Sequence, residues 1–170
     1  WSLVVGANTN LMSTAWFKTK KTTEFGGGYT FATVNISPSQ AVEIVGNNAN
    51  TTITKYIPPT QAFWVRVKSG TTSTAMNFTN SMREHRDDNS NLMKVRKQDT
   101  RASVRLQLLN GTENDELLIC QDEAANNSYD VYDSPKMMNN SAITPDLYTK
   151  AGVERLVING MNVITDNLEL

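Results

Sequence analysis

Apolar and polar residues alternate with a period of two at three places along the chain. Tyr29-Thr30-Phe31-Ala32-Thr33-Val34 sets large apolar side chains against small or polar ones. Ala62-Phe63-Trp64-Val65-Arg66-Val67-Lys68 is the clearest case, with Phe63, Val65 and Val67 on one face and Trp64, Arg66 and Lys68 on the other. Val104-Arg105-Leu106-Gln107-Leu108 repeats the pattern. Successive side chains of a strand point to opposite faces, so this period predicts strands with one face toward a core. Shorter signals fill the intervals. Thr51 to Ile57 is rich in β-branched residues and stops at Pro58-Pro59, because proline cannot donate to a ladder. Ala75 to Thr79 places Met76 and Phe78 on one face, and Leu92 to Arg96 is extended in pattern. Glu116 to Gln121 and Val153 to Ile158 complete the set of strand signals.

Turn chemistry separates these segments. Ser69-Gly70-Thr71-Thr72 reads as a turn, and Gly26-Gly27-Gly28 as a flexible one. Asn110-Gly111 tolerates the positive φ angles of a tight hairpin, so residues 102–121 are expected to form an antiparallel hairpin. Asn114-Asp115 is expected to lengthen its loop beyond two residues. A second Asn-Gly pair, Asn159-Gly160, predicts a final hairpin in which Met161 to Thr165 pairs back. The stretch 84–91 lacks any apolar anchor and is expected to be the most mobile internal segment. Residues 122–146 read as irregular. No apolar period of 3.6 persists beyond about two helical turns. The pattern therefore specifies an all-β chain, an antiparallel β-sandwich or jelly roll with at most a short helix or two. Residues 1–170 are read as one such module, and Trp1 as the first residue points to a piece of a longer protein.

Composition narrows the function classes. A chain of 170 residues can bury a core without disulfide staples, and the single cysteine, Cys120, sits in an apolar run as a small buried hydrophobe would. Sixteen basic against seventeen acidic residues leave a net charge of −1, which supplies no field to steer a polyanion. A nucleic-acid partner is not expected. Leu117-Leu118-Ile119-Cys120 is far shorter than the ~20 apolar residues of a membrane-spanning helix, so membrane insertion is not expected either. Six Asn-x-Ser/Thr sites, at Asn35, Asn50, Asn77, Asn110, Asn126 and Asn139, follow from a composition with nineteen asparagines and do not by themselves indicate glycosylation.

Candidate chemistry is sparse. His85 is the only histidine, and Ser81, Asp87 and Asp88 lie near it only along one polar loop. A triad needs those groups brought together from separate elements. No nucleophile elbow or phosphate loop is present, and nothing singles out a pair of carboxylates for glycoside hydrolysis. No catalytic residue is assigned, and the chain is read as a non-enzyme. Trp16 and Trp64 are the candidate ligand-binding residues, because exposed aromatic faces stack on sugars; packing in the core is the alternative for Trp64. Asp130 and Asp133 are the candidate calcium ligands, since a hard cation takes carboxylate oxygens from loops. The plainer expectation for the same pair is that both side chains cap backbone amides of their own loop, with a pairing to Lys136 as a third arrangement.

An ordered set of segments carries a resemblance. Its parts are Trp1-Ser2-Leu3-Val4, Ile57-Pro58-Pro59-Thr60-Gln61-Ala62-Phe63-Trp64-Val65, Met76-Asn77-Phe78-Thr79-Asn80-Ser81-Met82-Arg83 and Val104-Arg105-Leu106-Gln107-Leu108. They continue through Asp115-Glu116, Tyr129-Asp130-Val131-Tyr132-Asp133-Ser134-Pro135-Lys136, Leu147-Tyr148 and Leu156-Val157-Ile158-Asn159-Gly160. Together they resemble a β-rich module of large secreted Bacteroidetes proteins, of the kind found just before a type IX secretion sorting domain. Gly6-Ala7-Asn8-Thr9 departs from the Gly-Asn-Pro that often follows the opening tryptophan. The resemblance implies an extracellular or cell-surface location, a structural or adhesive role, and other domains of the same polypeptide as partners. A glycan or a cell-surface protein is the further partner it leaves open, and a carbohydrate-binding module the alternative function.

Overall fold

The computed structural model describes residues 1–20, 29–46, 53–72, 74–84, 100–111, 113–139 and 144–164. Among the described residues nine strands form two sheets, preceded by a short helix, α1 (Ser2–Ala7), and interrupted by a single 3-10 turn at Asn80–Met82. The first sheet contains β1 (Leu11–Lys20), β2 (Tyr29–Ile36), β3 (Val42–Val45) and β4 (Trp64–Val67), in the order β3-β2-β1-β4 and wholly antiparallel. The second contains β5 (Ser103–Asn110), β6 (Glu113–Gln121), β7 (Ser134–Pro135), β8 (Thr149–Ala151) and β9 (Glu154–Met161). Its order is β5-β6-β9-β7, with β8 also paired to β9. The expected all-β sandwich is the observed class. The second sheet is mixed, however, because β6 and β9 run parallel. A parallel neighbour needs a long crossover connection, and residues 122–153 supply it.

The two faces of the first sheet differ in kind. Ala15 and Phe17 of β1, with Val34 and Ile36 of β2, pack under Trp1 and Val4 of the α1 region. Phe63 and Val65 of the β4 segment extend this cluster, and Ile53, Ile57, Met76 and Met82 close it, so the irregular stretches on either side of β4 serve as a cover. Phe63 stands between Trp1 and Phe17, with ring centroids 5.7 and 6.0 Å away. Residues on the opposite face meet the second sheet. Val45 joins Leu118, Cys120, Val157 and Ile158 there. The rest of that interior is polar: Thr14, Thr33, Asn35 and Glu43 are all buried. A third cluster, Leu117, Ile119 and Met161 with Leu106, Leu147 and Ile164, lies elsewhere on the second sheet.

Several local expectations change. Asn159-Gly160 is not a turn but lies inside β9, so no final hairpin forms there. Its partner on the other side is β6, which leaves no room for a bend until Asn162. The hairpin of β5 and β6 is as expected, but Asn110 pairs directly with Glu113, leaving a two-residue loop that starts at Gly111 (φ 62°). Asn114 and Asp115 belong to the ladder rather than the loop. Residues 53–57 and 75–79 are irregular: Ile53, Ile57 and Met76 reach the first cluster without a ladder partner, while Phe78, expected on the same face as Met76, stays 61% exposed. The mobile loop expected at 84–91 falls, apart from Glu84, outside the described residues, as do His85, the Gly26–Gly28 turn and the 92–96 strand.

Candidate functional site

Trp16 and Trp64 face each other across the β1–β4 ladder, so both side chains leave the same side of the sheet. Their surroundings differ. Trp16, 3% exposed, is covered by the β7 segment, and its indole N–H donates to the Pro135 carbonyl at 3.0 Å. Its ring face is inside the sandwich and is not an open stacking surface. Trp64 lies on the edge strand and stays 42% exposed. Phe31 meets its ring edge-on at 5.4 Å, which fixes the indole orientation. Two residues along the same strand face, Arg66 pairs with Glu154 at 3.5 Å. Packing in the core, which the sequence offered as the alternative for Trp64, is not what is found: on an edge strand only one side of its ring is covered, by Phe31, and it joins none of the core clusters.

Asp130 and Asp133 hold the 126–133 loop together by its backbone amides. Asp130 accepts from the Asn126 N–H at 2.9 Å through Oδ2 and from the Tyr132 N–H at 2.8 Å through Oδ1. Asp133 accepts from the Asp130 N–H at 2.9 Å through Oδ2. Its Oδ1 accepts from the Gly160 N–H, also at 2.9 Å, and so ties the loop to β9. Both side chains turn inward, as the capping arrangement requires. Gly160 is what allows the approach: a Cβ there would stand 2.5 Å from the Tyr132 Cβ.

Burial pushes the Asp133 carboxyl up to about 7, although its bonds to the Asp130 and Gly160 amides pull the other way and nearby Asp130 and Glu43 add to the rise. Between the ordinary value of 3.8 and about 7 the folded chain keeps a proton that the unfolded chain has lost. This group therefore stabilises the fold at low pH, loses that contribution as pH rises through the window, and has no further effect above it. Asp133→Asn removes the titration while keeping an acceptor for Gly160. Thermal melts from pH 4 to pH 8 should show the wild-type minus Asp133→Asn stability difference falling as pH rises, by on the order of a few kcal/mol. A difference that is flat across the window would contradict the assignment.

Lys136 does not pair with Asp130 or Asp133. Its ammonium meets Asp115 Oδ2 at 2.5 Å, with both side chains almost fully buried at 2% and 4% exposure, and Asp146 lies at 3.8 Å. Asp115 Oδ2 also accepts from the Leu147 N–H at 2.6 Å. A second polar chain runs through the sandwich interior. Arg101 donates to Glu43 at 2.9 Å, and the Asn35 amide donates to the other Glu43 oxygen at 2.7 Å. The Thr14 hydroxyl reaches the Asn35 carbonyl oxygen at 3.3 Å and Ser134 at 2.9 Å, joining the two sheets. An open depression over Arg101, Ala102, Gln121, Asp122 and Glu123 is lined by an arginine already committed to Glu43 and Asp122.

A family model described as a domain of unknown function, DUF8693, matches residues 3–170. The chain belongs to that family. No curated protein and no solved structure matches it. Among the described residues of this DUF8693 member, no three His, Cys, Asp or Glu side chains converge as metal ligands would. What the DUF8693 chain does bring together is a set of charged groups that fasten segments to one another. Glu43, Asp115, Asn35 and Thr14 were not singled out from sequence. Charged and polar residues inside short strands looked like turn or solvent positions, and their partners lie 8 to 120 residues away. The one available signal was Glu113-Asn114-Asp115-Glu116 leading without a break into Leu117-Leu118-Ile119.

Proposed function

We propose that the chain is a non-catalytic structural or adhesive module of a secreted or cell-surface bacterial protein, working beside other domains of the same polypeptide. The observation that carries this reading is the use of carboxylates in β6 and in the long crossover. Asp115 holds Lys136 and the Leu147 amide, while Asp130 and Asp133 hold four backbone amides between them. Groups that a catalyst would present to a substrate serve here as internal ties, and the surface they brace is long irregular chain. Its expected location rests on the likeness to secreted β-rich modules. An antibody against the module should label intact cells of the source organism. Labelling only after lysis, or turnover of any substrate in a glycan and peptide hydrolysis panel, would overturn the reading.

A second reading, a carbohydrate-binding module, is favoured by Trp64 alone. An aromatic face held edge-on by Phe31 and flanked by the Arg66–Glu154 pair is suited to a neutral pyranose, whose C–H face stacks while its hydroxyls meet the charges. On a glycan array this reading predicts saturable binding to at least one glycan, weakened at least tenfold by Trp64→Ala, about 1.4 kcal/mol. An array without signal, or binding indifferent to Trp64→Ala, sinks it.

A further inference from the structure

A sheet edge exposes unpaired N–H and C=O groups, and folded chains blunt such edges with short strands, bulges, proline or charge. Three of the strand edges here are blunted in these ways. β7 has two residues, one of them Pro135. β4 has four residues and a register shift against β1 between Leu11 and Ala15. β3 also has four, and the Ile44 carbonyl accepts from the Arg105 guanidinium at 3.0 Å. β5 is different. It is eight residues long, pairs with β6 without any register shift, and contains no proline. All but one of its residues are exposed, among them Val104, Leu108 and Leu109. Among the described residues no strand pairs with its outer edge.

The hydrogen-bond phase of β5 shows which of its backbone groups point away from β6 and have no ladder partner among the described residues. The Gln121 N–H donates to the Ala102 carbonyl at 2.8 Å, so Ala102 and Gln121 form a hydrogen-bonded pair. Such pairs recur at every second position of an antiparallel ladder. Residues 104, 106, 108 and 110 therefore bond inward to β6. Residues 103, 105, 107 and 109 direct N–H and C=O outward.

We propose that the free edge of β5 pairs antiparallel with β5 of a second copy, in a two-fold register centred on Leu106. In that register Ser103 lies opposite Leu109 and Arg105 opposite Gln107 of the second copy, so the outward groups of all four positions are bonded. Leu106 then stands against its own symmetry mate and Val104 against Leu108, extending one apolar stripe across both copies. Sliding the centre to Arg105 would crowd two guanidinium groups, each held by its own Glu116, against one another and set Leu109 opposite Arg101, beyond the end of the strand, so that its outward groups lose their partner. Sliding it to Gln107 would set Arg105 against Leu109. The pattern is thus self-complementary in one register, as an isologous contact requires.

The test uses the whole 170-residue chain. Sedimentation or light scattering over a concentration series should show a dimer. Gln107→Pro removes one outward N–H and leaves the β6 ladder intact; it should yield a monomer whose melting temperature, read on dilute protein, matches that of the wild type. Leu106→Cys should give a disulfide-linked dimer under mild oxidation, because a non-hydrogen-bonded antiparallel pair brings Cα atoms to about 4.5 Å, within disulfide reach. Gln107→Cys should not. A wild-type chain that stays monomeric at its highest soluble concentration overturns the proposal, and so does a dimer that survives Gln107→Pro. Equal crosslinking of Leu106→Cys and Gln107→Cys would overturn the register.

Discussion

Lys136→Met is expected to lower the unfolding free energy by about 3–5 kcal/mol, the usual cost of breaking a buried ion pair by removing one partner. The methylene stem of lysine is matched in length by methionine, so little packing is lost. What remains is the Asp115 carboxylate, 4% exposed, with the Leu147 amide on Oδ2 and no ammonium. Asp146, at 3.8 Å from the Lys136 ammonium, adds a second negative charge to the same spot. Adding Asp115→Asn should restore part of the loss, because the asparagine carbonyl still accepts from Leu147 and the only carboxylate left at the spot, Asp146, is partly open to solvent. Chemical denaturation of the two variants measures both effects. A loss below about 1 kcal/mol for Lys136→Met would mean that the pair behaves as an exposed one.

Gly160→Ala should cost about 1–3 kcal/mol from overpacking alone. The added Cβ would meet the Tyr132 Cβ at 2.5 Å and the Tyr132 carbonyl oxygen at 3.0 Å, and the second of these is backbone that cannot rotate away. Relief requires the 130–133 loop to lift from β9. Lifting it breaks the bond from the Gly160 N–H to Asp133, and an orphaned buried amide adds its own penalty of about 1–3 kcal/mol. The variant should also lose the pH dependence assigned to Asp133, since the carboxyl would regain solvent and return toward its ordinary value. A melting profile with wild-type stability and unchanged pH dependence would show that the loop is not seated on Gly160. A large stability loss with the pH dependence intact would separate packing from the carboxyl's burial.

Much of the strand content was legible because it depends on local alternation. At 62–68 and 104–108 each strand has one face toward an apolar cluster and one toward solvent, so the period of two survives in the sequence. β1 and β3 were not legible. β1 is buried on both faces, one apolar through Ala15 and Phe17, the other polar through Thr14 with Trp16. Its pattern therefore resembles neither a surface strand nor a uniformly apolar central one. The Asn-Gly rule worked at Asn110 and failed at Asn159. The difference is tertiary: Gly160 is in β9 to admit Tyr132, not to reverse the chain.

The sequence by itself determined the all-β class and the β5–β6 hairpin, because period and turn chemistry act over a few residues; for Asp130 and Asp133 it left a calcium site, backbone capping and a Lys136 pair open. Only the tertiary structure decided the rest. It made β6 and β9 parallel neighbours and gave Lys136 to Asp115 rather than to the nearby Asp133. It also buried Trp16 while leaving its ladder partner Trp64 exposed. The physical reason is common to all three. Each depends on which distant segment covers a given face, and the cost of leaving a charge or an indole N–H unpartnered acts only once that face is closed.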